Sequence, residues 1–172
     1  TASLTLSPAW TVAAGGVLQR INTADSQYAL VDAPRYTRAN RVAEPHDNDF
    51  SEAHLTLSGD FGWGDLHTSA ALVRHEVSSR YDASAVGGRT YDDINETSSL
   101  LSETTLASKP LARTPWLAGL FLADSRQDIT LRLAADAPSP IAFEEARRDR
   151  IKEAALYGQI SAPLTPTLAL TV

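Results

Sequence analysis

The chain lacks several features that would direct it to common functional classes. It has no cysteine among its 172 residues, which excludes a disulfide framework, a thiolate zinc site and a cysteine nucleophile. Basic residues are fewer than acidic ones, 15 against 21, and the net charge of −6 argues against a nucleic-acid groove. Methionine is also missing, and the chain starts at Thr1, so we expect a processed chain or a fragment of a larger protein.

Long apolar runs are missing too. No window approaches the ~18 consecutive apolar residues of a transmembrane helix, and the N-terminus lacks the layout of a signal peptide. A soluble domain and a membrane β-barrel both remain possible, because barrel strands are too short and too alternating to stand out in hydropathy.

Period-two alternation predicts strands. It is clearest from Phe50 to Phe61 and recurs from Glu153 to Ser161. The apolar side of the first segment comprises Ala53, Leu55, Leu57, Gly59 and Phe61, and that of the second comprises Ala154, Leu156, Gly158 and Ile160. Weaker alternation marks the other strands, at 11–22, 66–81, 101–108, 116–126 and 168–172.

The connections alternate between two kinds. Short turns lie near Pro8, Trp63, Leu111 and Leu164. Long polar segments lie between them, at Thr23–Asn48, Asp82–Ser98 and Asp128–Asp149, and all nine prolines fall in connections or at their margins. A helix-favouring composition after Pro140 predicts a loop helix at Ile141–Asp149, with a strand after it.

Short turns on one side and long loops on the other are typical of bacterial outer-membrane barrels. Trp10, Trp63 and Trp116, with Phe61, lie at the short turns, where a membrane interface favours aromatic rings. The fold prediction is an all-β, antiparallel, up-and-down segment of a transmembrane β-barrel over residues 1–172, with about eight strands. A soluble β-sandwich with tryptophans capping its core, or a lipocalin-like binder, is the alternative.

Four segments resemble the TonB-dependent outer-membrane receptors, especially ferric-siderophore receptors. They are FSEAHLTLSGDFGWGDLHTSAALVRHE (50–76), LSETTLAS (101–108), TPWLAGLF (114–121) and EAALYGQISAPLTPTLALTV (153–172), and they cover a little over a third of the chain in family order. The resemblance implies an outer-membrane location and import of a scarce nutrient, with a ferric siderophore as the expected one, into the periplasm with energy from TonB. No stretch resembles the plug domain or the TonB box of that family, so we expect a portion of the barrel.

The resemblance implies ligand capture without catalysis, metal or cofactor. The expected partners are outer-membrane lipid, a plug domain, the TonB system and a small iron chelate. Arg35, Tyr36, Arg38 and Arg41 in the first long loop are the candidate ligand-binding residues, since guanidinium groups and rings attract and stack on anionic chelates. A solvated or lipopolysaccharide-facing loop is the alternative. By parity, Glu52, His54, Tyr157 and Gln159 are expected to face inward.

Two other groups of residues have side chains that could carry chemistry. His67 and Ser69 with Glu76 are similar to the His-x-Ser and glutamate of lipid A deacylases, which are small eight-stranded barrels, but Glu76 has the opposite parity. This motif keeps a complete barrel acting as a lipid hydrolase among the alternatives. The run from His46 to Asp49 offers oxygen and imidazole ligands for a hard cation, without a defining spacing.

Overall fold

A computed structural model of the chain describes residues 1–25, 37–38, 40–86, 89–135, 143–165 and 168–172. Eight strands account for most of them. They are β1 (Ala2–Ser7), β2 (Trp10–Thr23), β3 (His46–Asp60), β4 (Gly64–Asp82), β5 (Thr90–Ser108), β6 (Trp116–Ala134), β7 (Phe143–Thr165) and β8 (Leu168–Thr171). A single 3-10 turn at Ser84–Val86 is the only helical element in the described residues.

The strands form one antiparallel sheet in which each strand pairs with its neighbours in sequence, from β1 to β8. The predicted all-β, up-and-down meander of eight strands is therefore confirmed. β1 and β8 lie at the two edges, and within the described residues they do not pair with each other.

The connections alternate as predicted, but all three long ones are shorter than predicted, the first by a few residues and the other two by more. The strand ends that flank the β1–β2, β3–β4, β5–β6 and β7–β8 connections lie at one end of the sheet, which we call the short-turn end, and those that flank the three longer connections lie at the other. Residues 90–98, 128–134 and 143–149, which were predicted as loop, are strand. Their polar side chains form cross-strand ion pairs, such as Arg80 with Asp92, so low hydropathy does not prevent strand pairing there.

Two local predictions are wrong. The helix predicted at Ile141–Asp149 is replaced, from Phe143 onward, by the first part of β7, where pairing to β6 overrides helix propensity. Pro163 lies within β7 rather than in a turn. It sits where the β7–β8 register shifts, close to the end of the strand, a position at which a missing N–H is tolerated.

The register assigns every strand residue to one of two faces. Leu55 lies opposite Ala14 and Ala70, and His54 lies opposite Gly15 and Ala71, so the two faces alternate along β3 as the sequence predicted. We call the face of Leu55 the outer face and the face of His54 the inner face. Outer-face leucines such as Leu72 (62%) and Leu100 (50%) are exposed, whereas the adjacent inner-face residues are half-buried. This difference indicates that the sheet curves around its inner face.

The described residues contain no shielded apolar core. Ala83 is the sole buried apolar residue among them. The chain exposes 12265 Å², about half as much again as the ~8,200 Å² expected for a compact monomer of 18.5 kDa. The core that a sandwich or lipocalin-like binder requires is thus missing from the described part. In the same part, no helix is long and apolar enough to cross a membrane.

Candidate functional site

The outer face carries a continuous apolar zone next to the short turns, which we call the apolar band. Three registered rows, those of Trp10, Val12 and Ala14, cross β2 to β7 without a charged residue. The next row is apolar from Gly16 on β2 to Leu100 on β5, where it still belongs to the band, and is charged on β6 and β7. Its apolar members are Trp10, Val12, Ala14, Ala53, Leu55, Leu57, Leu66, Ala70, Leu72, Leu100, Leu106, Ala118, Leu120, Leu122, Ala154, Leu156 and Ile160. Hydroxyl groups supply its few polar atoms, and those of Thr68 and Thr104 hydrogen bond to each other at 2.6 Å.

The four predicted interface aromatics form one chain of ring contacts at the short-turn end of this band. Trp10 meets Phe61 edge to face at 5.4 Å between ring centroids. Phe61 stacks on Trp63 at 5.6 Å, and Trp63 stacks on Trp116 at 6.3 Å. The sequence placed each ring at a turn, and the register joins them into one cluster that borders the band.

The inner face at the same depth is mixed: charged and hydrogen-bonding side chains share it with apolar ones such as Leu101 and Phe121. Glu52 and His54 are 3.0 Å apart on β3, and the Tyr157 hydroxyl donates to Glu103 at 2.6 Å. His67 Nδ1 lies 3.1 Å from the Ser58 hydroxyl. The four residues predicted by parity to face inward, Glu52, His54, Tyr157 and Gln159, share this face by register.

Aromatic rings on this sheet lie over glycines on the adjacent strand. Tyr157 is directly opposite Gly119, and a Cβ built on Gly119 would lie 2.1 Å from the Tyr157 ring. His54 covers Gly15 in the same way, with a Cβ distance of 2.6 Å. Each glycine therefore provides the space for one ring, and this fixes the position of the ring on the inner face.

The hydrolase constellation is separated by the fold. His67 and Ser69 are on the inner face, whereas Glu76 lies opposite Asp49 on the outer face. Glu103 is the residue directly opposite Ser69, but its carboxylate accepts the Tyr157 hydroxyl. Among the described contacts, His67 meets Ser58 and no carboxylate orients its ring.

The cation motif is separated as well. His46 to Asp49 begin β3, so Asp47 and Asp49 point to the outer face, and His46 and Asn48 point to the inner face. His46 instead contacts the Ser79 hydroxyl at 2.8 Å. Within the described residues, no group of three or more His, Asp or Glu side chains is arranged to hold a metal ion.

The structure describes two of the four candidate ligand-binding residues in the first long loop, Arg38 and Arg41. Arg35 and Tyr36 lie outside the described residues. Arg38 donates to Asn40 at 2.6 Å and forms an ion pair with Glu44, which is only 6% exposed. Its guanidinium group therefore compensates a buried carboxylate. Arg41 is exposed, and its backbone N–H is held by the carboxylate of Asp82.

Asp82, the last residue of β4, anchors this loop. Its carboxylate accepts the backbone N–H of Arg41 at 2.6 Å and that of Ser84 at 2.9 Å. Hydrogen bonds from the side chain and backbone of Ser84, and then from Arg41, lower the pKa of Asp82 from 3.8 to about 2. Glu44 strengthens the junction by accepting the Asp82 N–H at 2.7 Å.

Lys109 joins two neighbouring turns at the short-turn end. Asp60 and Asp65 lie directly opposite each other, and two carboxylates in that position repel. The Lys109 ammonium contacts Asp60 at 2.8 Å and Asp65 at 2.5 Å. These hydrogen bonds, that of Asp60 first, raise the pKa of Lys109.

Charged side chains replace the apolar band abruptly beyond Leu122 and Ala154. In the next row Asp124 lies opposite Lys152, and in the row after it Arg126 lies opposite Arg150. Arg150 pairs with Asp124, and further out Arg132 pairs with Glu144 at 3.1 Å. Sequence reasoning missed this border because it assigned much of this region to loops.

Comparison of the chain with protein-family models, with curated proteins and with solved structures gave no match.

Proposed function

We propose that this chain forms part of the wall of an outer-membrane β-barrel, with its outer face toward lipid and its inner face toward an aqueous lumen. The contrast between faces at one depth carries the proposal. The three complete rows of the apolar band have no charged residue, whereas the inner face at the same level holds His54, Glu103 and Glu153. A barrel wall requires this alternation, because lipid and lumen face successive residues.

The dimensions of the band fit a bilayer. The path from Gly64 to Leu72 along β4 measures about 27 Å at about 3.4 Å per residue. With strands tilted by about 40°, it covers about 20 Å of the bilayer normal on β4 and about 16 Å on β6, where the band ends at Leu122; the band of known barrels is ~25 Å tall. The strands then continue beyond the band, where charged residues pair across the sheet on the side of the longer loops.

A lipid environment would also cover the apolar surface. Leu55 is 53% exposed, Leu122 is 45% exposed and Leu156 is 83% exposed, all within one contiguous zone. Soluble monomers rarely expose apolar patches larger than a few hundred Å². The aromatic cluster at the edge of the band would lie at headgroup depth.

We further propose that the wall belongs to a TonB-dependent receptor that imports a ferric siderophore. The segments that resemble this family lie on the β3–β4 hairpin, on the β5–β6 hairpin and on β7–β8. The exposed Arg41 is in the first long loop, as a ligand-capturing guanidinium group requires. The polar inner face suits a lumen that a hydrophilic chelate traverses.

Transport by the whole protein tests the receptor assignment. Cells that depend on it for iron should take up a radiolabelled hydroxamate or catecholate ferric siderophore only when TonB is present. Uptake should fall when Arg35 and Arg41 are both replaced by alanine. Arg113, an exposed arginine in a connection at the short-turn end, supplies the control R113A, which should transport normally. Uptake that is unaffected by loss of TonB would contradict the assignment.

Tryptophan fluorescence tests the membrane orientation separately. In vesicles, Trp10, Trp63 and Trp116 should be quenched strongly by lipids brominated near the headgroup and weakly by lipids brominated near the chain end. Emission and quenching equal to those of free tryptophan in water would place the cluster outside the bilayer.

A further inference from the structure

We propose that the border between the apolar band and the charged part of the outer face binds a phosphorylated lipid. The site is the basic border, which we define as Arg126 on β6 with Arg150 and Lys152 on β7. The phosphate would sit among these cations, and the acyl chains would lie over Leu72 and Leu100. This inference rests on the proposed function, because it needs the outer face to contact lipid.

The charges of the basic border are unbalanced. Three cations surround one acid, Asp124, which accepts the Arg150 Nε–H at 2.8 Å. Among the described residues, Arg126 and Lys152 form no close ion pair, although Lys152 lies directly opposite Asp124 and both cations act on the Asp124 carboxylate through space. Arg126 and Arg150 lie directly opposite each other, and like charges in that position repel. A bound anion between them would remove this repulsion.

The register extends the cationic character across the sheet. Leu18, Ser51, Arg74, Ser98, Arg126 and Arg150 form one row from β2 to β7, and this row contains no acid. Arg74 is 69% exposed and pairs with Glu76 of the next row, at 2.5 Å. The row follows the edge of the apolar band, where the phosphates of a bilayer leaflet would lie.

The shape of the border suits an amphipathic ligand. A shallow groove of about 250 Å³ runs between strands, with Leu72 and Leu100 toward the band and with Asp124 and Arg126 on its charged side. Ser98, in the same groove, has a short side chain and a hydroxyl donor. An acyl chain can therefore follow the leucines while the attached phosphate reaches the guanidinium groups.

The next row toward the long loops is acidic, so the anion bound at the border must be small enough not to reach it. Asp49, Glu76, Glu96 and Asp128 lie in line across β3 to β6. Arg148 compensates Asp128 at 2.5 Å, but the row as a whole is acidic. A long polyanion lying on this face would be repelled there, whereas a single phosphate at the border would not.

Lipid binding to the whole protein in detergent, measured by native mass spectrometry, tests the inference. The probes are phosphatidic acid, phosphatidylcholine with the same acyl chains, and inorganic phosphate. The protein should retain phosphatidic acid in preference to phosphatidylcholine. The variant R126Q/K152Q should bind phosphatidic acid about tenfold more weakly, a change of ~1.4 kcal/mol.

R80Q/R132Q is the matched control. It removes the same number of charges from the same face, but from ion-paired residues further from the band. It should retain wild-type binding, and inorganic phosphate should compete only weakly. Equal losses in the two variants, no preference for phosphatidic acid, or full competition by inorganic phosphate would each overturn the inference. If lipids still quench the tryptophans in any of these cases, the phosphorylated-lipid site would be rejected while the proposal of a barrel wall would stand.

Discussion

The hydroxyl of Tyr157 on β7 donates a hydrogen bond of 2.6 Å to Glu103 on β5, across the intervening strand β6. The ring crosses β6 at Gly119, the residue directly opposite Tyr157. A carboxylate on the inner face is thus held by a phenol that reaches it only because the residue between them has no side chain. This arrangement couples three strands through one polar contact.

Substitution of Gly119 by alanine should destabilise the sheet by about 1–3 kcal/mol, since the new methyl group displaces the ring and breaks the bond to Glu103. Urea unfolding in lipid vesicles measures the change. The same substitution in a Y157A background is the control, because no ring is then present to clash, and it should be nearly neutral. Equal losses in both backgrounds would mean that the ring does not occupy the glycine position.

The contribution of Asp82 to the stability of the fold should fall as the pH is lowered from 3.8 to about 2. Because its folded pKa is about 2 and its ordinary value is 3.8, Asp82 stabilises the fold fully above pH 3.8. This contribution is lost as the pH falls through about 2. The carboxyl carbon shift of Asp82 in an NMR titration should show a midpoint near 2. A midpoint near 3.8 would show that the bonds from Ser84 and Arg41 do not form.

The main role of Arg38 should be to stabilise the first long loop through its ion pair with Glu44, and not to bind a ligand. R38A leaves the carboxylate of Glu44 without the guanidinium group that compensates it, at a cost of about 1–3 kcal/mol. Limited proteolysis should therefore cut the loop faster in R38A than in the wild type. The double variant R38A/E44Q removes the charge and should recover much of the protection. R41A, whose side chain is exposed, should be cut like the wild type.

The sequence predicted the strands best where one face is apolar. Ala53, Leu55 and Leu57 alternate with polar residues, and the register confirmed their common face. Where both faces are polar, as at 90–98, hydropathy does not separate a strand from a loop. Pairing partners decide the outcome there, and they are distant in sequence: Arg80 with Asp92, or Asp128 with Arg148.

The same limit applies to the sites. The positions of Trp10, Trp63 and Trp116 were predictable because each tryptophan lies at a turn, but their contacts were not. Arg126 and Arg150 are 24 residues apart in the sequence and become neighbours only through the β6–β7 register. Alternate residues of the run from His46 to Asp49 point to opposite faces because the run lies in a strand.

A cysteine scan of β3 tests the central claim, the division of the sheet into a lipid face and an aqueous face, most directly. Because the chain has no cysteine of its own, single substitutions from Ala53 to Ser58 give six uniquely labelled proteins. Cysteines at Ala53, Leu55 and Leu57 should resist a charged, water-soluble maleimide, and bimane attached there should be quenched by lipid-soluble nitroxides. Cysteines at His54, Thr56 and Ser58 should react readily and escape that quenching. Equal reactivity at all six positions, or an inverted pattern, would contradict the account.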